Sequence, residues 1–149
     1  MGEVGSMGVA LVTGGGTGVG KAIARQLSEA GWCVIIAGRR REVLDAAIGE
    51  MGPASSGKIH AMAADVGVQS SVRALFEEIE GRFGRLDLLV NNAGLSAPAV
   101  PLDELDVEDW NRVVAANLTG AFLCTQQAFR MMKAQAPRGG RIINNGSIS

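Results

Sequence analysis

The sequence contains no tyrosine, one histidine and two cysteines. Without a phenol anywhere in its 149 residues, the chain holds no tyrosine to act as an acid or base. His60 stands alone and can build neither a catalytic triad nor a histidine metal cluster; its place early in an apolar run predicts a surface or strand-pairing role, and no metal site is expected. Cys33 and Cys124 sit inside apolar runs, with neither paired nor metal-ligand spacing. They read as small buried hydrophobes in a reducing compartment, with no disulfide framework. No uncharged apolar run reaches the roughly 18 residues of a membrane span, and the N-terminal MGEVGSMG carries an acid and no long apolar core. Neither signal peptide nor membrane helix is predicted, and the expected location is cytoplasmic. Basic residues do not exceed acidic ones, 14 against 15, for a formal net charge of -1. That balance argues against nucleic-acid binding through the phosphate backbone, and no acidic block points to disorder.

What the chain does have is apolar residues, 47% of the total, and 21 glycines clustered between periodic segments. Its length suits one domain with a real core. Residues 1–7 are expected as a flexible N-terminal tail and residues 8–149 as a single domain, incomplete at its C-terminus. The run GVALVT (8–13) predicts a strand. A glycine cluster follows, and then Val19, Ile23, Leu27 and Ala30 on one helical face before Gly31 ends the helix. The same alternation repeats: strands at CVIIAG (33–38), KIHAMAAD (58–65), LDLLV (86–90) and GRIINN (140–145), and helices over 41–52, 71–84 and 107–134. PASSG (53–57) and APRGG (136–140) read as surface loops. Strands apolar on both faces, alternating with helices, predict a doubly wound parallel sheet covered on both sides, a three-layer α/β/α arrangement with five strands present.

The first strand runs directly into TGGGTGVG (13–20), where backbone N–H groups and the positive end of a helix can meet a pyrophosphate. The spacing is not G-x-G-x-x-G but Gly14-x-x-x-Gly18-x-Gly20. Gly14, Gly16, Thr17, Gly18, Val19 and Gly20 are the candidate contacts; the alternative is a glycine-rich turn with no ligand. Past the second strand, an NAD site usually places an acid on the ribose 2′-hydroxyl, whereas an arginine there pairs a 2′-phosphate. This sequence has AGRRR. Gly38 leaves room, and Arg39 and Arg40 offer forked, charge-assisted donors; Arg41 reads better as a solvated helix face. NADP(H) is therefore favoured, with NAD(H) possible.

TGGGTGVG, AADV (63–66), NNAG (91–94), Asn117 in NLTG and the serine of IINNGSIS together resemble, in order and spacing, the short-chain dehydrogenases/reductases. The resemblance covers the chain from about residue 8. It implies a Rossmann-type fold and hydride transfer between a nicotinamide cofactor and a small-molecule alcohol or carbonyl. It implies that Asp65 and Val66 border the adenine, with the Asp65 carboxylate accepting from the adenine amino group. Asn92, Ala93 and Gly94 would lie along the nicotinamide side, and Asn91 would brace the central strand. Read without the resemblance, Asp65 could equally cap the following helix, and the NNAG amides could merely close a turn. Asn117 shares a helical stripe with Val113 and Ala121, so its amide must be hydrogen-bonded, either bracing or kinking the helix or serving a site. The resemblance assigns it to holding a water in a proton relay.

By the same likeness Ser147, and not Ser149, is the donor that holds the carbonyl oxygen. The alternative is a serine capping a turn at a strand end. The proton donor of the resembled family is the tyrosine of a Tyr-x-x-x-Lys pair about a dozen residues past that serine, and both are missing here. Three readings stay open: the N-terminal part of an NADP(H)-dependent oxidoreductase, inactive by itself; a non-catalytic dinucleotide-binding or interaction module; and another nucleotide-using enzyme such as a sugar-nucleotide epimerase. The apolar stripe of Val114, Leu118 and Phe122 on the 107–134 helix is wider than one sheet face can cover. Either a second copy covers it, as a homodimer or homotetramer, or a later segment does. Glu77, Glu78 and Glu80 read as a solvated face, Met131 and Met132 as packing, and Trp32 and Trp110 as core or helix-end anchors.

Overall fold

The computed structural model describes residues 7–53 and 58–147. Expectations for residues 1–6, for most of the 53–57 loop and for Ser149 fall outside these. Five strands form one parallel sheet in the order β3-β2-β1-β4-β5, with β1 Val9–Thr13, β2 Cys33–Gly38, β3 Ile59–Ala63, β4 Leu88–Asn91 and β5 Arg141–Asn144. From β1 the chain moves one way to β2 and β3, then crosses back to β4 on the other side of β1. The order therefore reverses between β1 and β4, and in such sheets the crevice outside the strands' carboxyl ends at that point holds the ligand.

Helices α1 (Gly18–Glu29), α2 (Arg41–Met51), α3 (Gln69–Phe83), α4 (Val107–Val114) and α5 (Gly120–Ala134) complete the layers. The period-2 geometry of β1 divides its side chains between two cores. Ala10 and Val12 join Ala24, Leu44 and Ala47 on the α1/α2 face. Val9 and Leu11 join Leu75, Phe76, Ile79, Leu123 and Ala128 on the α3/α5 face. Both faces being covered explains why strands such as CVIIAG are continuously apolar and do not alternate. The Rossmann-type three-layer fold read from the sequence is the fold of the chain.

Three details differ from the sequence reading. The strand read over 58–65 ends at Ala63, because the chain turns at Asp65. The single helix expected over 107–134 is interrupted by a π-helical turn, Ala115–Thr119. Asn117 lies within that turn, and its amide bonds the loop after β4. Trp110, read as an anchor, is 58% exposed, and it shares that exposure with Leu118 at 68% and Phe122 at 60%. Met131, Met132 and Cys124 are buried as expected, while Cys33 is half-buried. His60 lies on β3, where Phe83 meets it edge-on at 5.1 Å.

Candidate functional site

Thr13 ends β1 with a buried hydroxyl, and its Oγ1 accepts the N–H groups of Asn92 and Ala93, each at 3.0 Å. The ends of β1 and β4 are thereby fastened together where the crossovers diverge. Gly14 then turns the chain at φ 64°, a conformation that L side chains resist, and donates its N–H to Ala37 O at 2.8 Å. Helix α1 starts at Gly18, and Thr17 gives it no side-chain cap. Its first-turn N–H groups have no partner inside the helix by construction and face the loop. A Cβ on Gly20 would collide with Gly14 O and Asn92 Nδ2, so α1 sits as close to the loop as backbone allows.

The loop opens into a cleft of about 340 Å³. Gly14, Gly16 and Thr17 line one wall, Gly38, Arg39 and Arg40 the β2 side, Asp65 and Val66 the β3 side, and Ala93 and Gly94 the β4 side. Gly18, Val19, Gly20 and Asn92 are not on its walls; Gly20 and Asn92 shape the loop from behind, and Val19 is exposed. Among the described residues neither Arg39 nor Arg40 forms an ion pair, whereas Arg41 pairs with Asp45 at 3.0 Å on the outer face of α2. Asp65 closes its own turn, Oδ1 accepting the Gly67 N–H at 3.0 Å, and also faces the cleft.

A second, smaller cleft of about 250 Å³ adjoins the first, sharing Val66, Ala93 and Ala116. Its walls are rich in amides: Asn91, Asn117, Asn144 and Asn145. Asn91 donates to Thr125 Oγ1 at 3.0 Å and to Asn144 Oδ1 at 2.9 Å, which ties β4 to α5 and β5. Asn92 donates to Gly14 O at 3.3 Å and accepts from Asn145 Nδ2 at 2.8 Å. Asn117 accepts the Leu95 N–H on Oδ1 at 2.7 Å and donates from Nδ2 to Leu95 O at 2.8 Å. Its side-chain amide therefore holds the loop after β4. Ser147 is exposed and directly follows Gly146, which lines this second cleft.

The sequence reading did not single out Thr13, Leu95, Arg112 or Asn145, which the structure places in or around the two clefts. Thr13 and Asn145 lie within the motifs TGGGTGVG and IINNGSIS, whereas no sequence signal sets Leu95 or Arg112 apart. The titratable groups with displaced pKa values lie elsewhere. Beyond the opposite ends of the strands, the Arg85 guanidinium grips both Asp87 oxygens, at 2.7–3.1 Å, and holds that carboxyl below its usual range. Burial pushes the Cys124 thiol up to about 12. No group of three or more histidine, cysteine, aspartate or glutamate residues that could hold a metal occurs among the described residues. No described helix is long and apolar enough to cross a membrane.

A doubly wound sheet with a glycine-lined crevice at its switch point defines a dinucleotide-binding class of protein. The chain matches the short chain dehydrogenase family over residues 8–149 and belongs to it. It is 37% identical over 141 residues to a 3beta-hydroxysteroid dehydrogenase of Mediterraneibacter gnavus, covering 95% of this chain and 50% of that one. It superposes with a TM-score of 0.88 and 35% identity on a metagenomic short-chain oxidoreductase in complex with NADP, covering 97% of this chain and 64% of that one. With a TM-score of 0.83 and 30% identity it also matches a 3-ketoacyl-(acyl-carrier-protein) reductase of Brucella melitensis complexed with NADH, covering 93% and 56%. The chain spans about half the length of the curated relatives it matches.

Proposed function

We propose that the protein is an NADP(H)-favouring oxidoreductase that interconverts a small-molecule alcohol and its carbonyl compound. The observation that carries the cofactor preference is Arg39 and Arg40, two guanidinium groups with no ion pair among the described residues, beside Gly38 on the β2 wall of the cleft. An acid there would repel a 2′-phosphate, and none is present. The residues fit such a cofactor. Gly14 and Gly16 keep side chains off the wall where a pyrophosphate would lie against the start of α1. Asp65 and Val66 would border the adenine, and Ala93 and Gly94 the nicotinamide side, with Asn92, expected there too, bracing the loop from behind through Gly14 O and Asn145. When bound, the nicotinamide supplies or accepts the hydride.

The chain's own residues then have separable tasks. Ser147 donates a hydrogen bond to the carbonyl oxygen and stabilises the charge that develops on it. Asn117 keeps its side chain on Leu95, so the relay water assigned to it would be held by its backbone carbonyl in the π-helical turn. In the family that the sequence resembles, a tyrosine donates the proton, and these 149 residues contain none. The chain spans about half the length of the curated relatives it matches, and the activity is proposed for the whole protein. The exposed Leu118 and Phe122 support association of two copies through the 107–134 helix, and a cytoplasmic setting suits both thiols.

Fluorescence titration of the full-length protein with NADPH and NADH tests the reading. NADPH should bind about ten- to a hundredfold more tightly, as expected for one or two charge-assisted contacts. Arg39→Ala should remove most of that difference and leave NADH binding unchanged. Tighter binding of NADH to the unsubstituted protein would overturn the preference.

A further inference from the structure

We infer that Arg112 is a cofactor-binding residue, with its guanidinium plane against the adenine ring; this rests on the dinucleotide reading above. Arg112 reaches the main cleft from α4, an element to which no cofactor contact has so far been assigned. It lines the same cleft as Arg39, Arg40 and Asp65. Its neighbours on that helical face are Ala115 and Ala116, which also line the cleft. A Cβ on Gly67 would come within 3.2 Å of the Ala115 Cβ, so this face of the helix presses on the Asp65–Val68 turn. The row thus presents two small side chains and then one long planar one, against the Asp65–Val68 turn on the β3 side of the cleft, the side proposed above for the adenine. That is the adenosine end.

Charge decides which part of the adenosine Arg112 serves. Its Nη2 lies 2.5 Å from Asp109 Oδ1, an ion pair within one turn of α4. Arg39 and Arg40 have no such partner among the described residues. A guanidinium already paired with a carboxylate is a weak competitor for a phosphate. Pairing through one nitrogen leaves its flat face available. A planar cation is suited to stacking on an aromatic ring. The division of labour is then phosphate to Arg39 and Arg40, and base to Arg112. Stacking on the base does not distinguish NADP(H) from NAD(H), because both carry the same adenine.

The test is the affinity of full-length Arg112→Ala and Arg112→Lys for NADPH, NADH and reduced nicotinamide mononucleotide. Arg112 is largely exposed and contributes to no core, so both variants should fold, which a thermal melt checks. Arg112→Ala should weaken NADPH and NADH by the same factor, about three- to thirtyfold, and leave the mononucleotide unchanged. Arg112→Lys, which keeps the charge and loses the plane, should restore little. Unchanged affinity for both dinucleotides would overturn the assignment, as would a loss confined to NADPH, which would mark a phosphate contact. If the unsubstituted protein binds neither dinucleotide, the cofactor reading falls and this inference falls with it. A normal wild type beside an indifferent variant overturns this inference alone.

Discussion

Asn117 and Leu95 are joined by two hydrogen bonds, the Leu95 N–H to Oδ1 at 2.7 Å and Nδ2 to the Leu95 carbonyl at 2.8 Å. A side-chain amide here pairs with a main-chain unit as a neighbouring strand would. Gly94 and Leu95 line the main cleft, and the pair therefore sets one of its walls.

Asn117→Leu keeps the volume and leaves both polar groups of Leu95 without this partner. The expected loss is about 1–3 kcal/mol of stability, a fall of roughly 2–12 °C in melting temperature for a domain of this size. NADPH affinity should fall as well. Asn117→Asp can still accept from the N–H but cannot donate while ionised, so its melt should lie between the other two. A leucine variant with unaltered melting and binding would show that the pair is dispensable.

Gly20 and Gly18 offer a contrast inside one motif. A Cβ at position 20 meets the backbone carbonyl of Gly14, which cannot move without disturbing the loop, whereas a Cβ at position 18 meets nothing within 4 Å. Gly18 does have φ 50°, which costs an L residue about 1–2 kcal/mol. Gly20→Ala should destabilise by at least that much and abolish NADPH binding. Gly18→Ala should lower the melting temperature and retain measurable binding. The reverse order would contradict the packing described.

Asp87 predicts a pH signature. The Arg85 guanidinium, first, and the Val9 N–H, at 2.9 Å, favour its ionised form, so its pKa is lower folded than unfolded. The stabilisation is full above the unfolded value near pH 4 and is lost as the pH falls through the folded value. In urea melts Asp87→Asn should be less stable than wild type at pH 7, with the gap closing below about pH 4. A gap that stays constant down to pH 3 would remove the ion pair as its source.

Leu118 and Phe122 make the fourth case. If a second copy covers them, Leu118→Glu with Phe122→Glu should reduce the mass measured by light scattering to that of a single subunit, with the fold retained. An unchanged mass together with a large fall in melting temperature would show instead that another segment of the same protein lies over the helix.

Much of this protein is determined by sequence. The alternation of apolar runs with helical periods yields the doubly wound sheet, because a strand buried on both faces has no polar residues to spare. The glycine spacing and the arginines Arg39 and Arg40 after β2 mark the main cleft, since backbone approach and phosphate pairing demand particular residue types next to particular strand ends. What only the tertiary structure decided are relations between residues distant in the chain. Asn117 could be read as brace or site. The choice of Leu95 as its partner, 22 residues earlier, depends on how the helix crosses the sheet edge. Thr13 is an ordinary strand residue until β4 brings Asn92 and Ala93 to its hydroxyl. Arg112 is a surface arginine by pattern, and it meets the cleft only because Ala115 packs on Gly67. Local propensity specifies the elements, but their docking chooses which side chains share a wall.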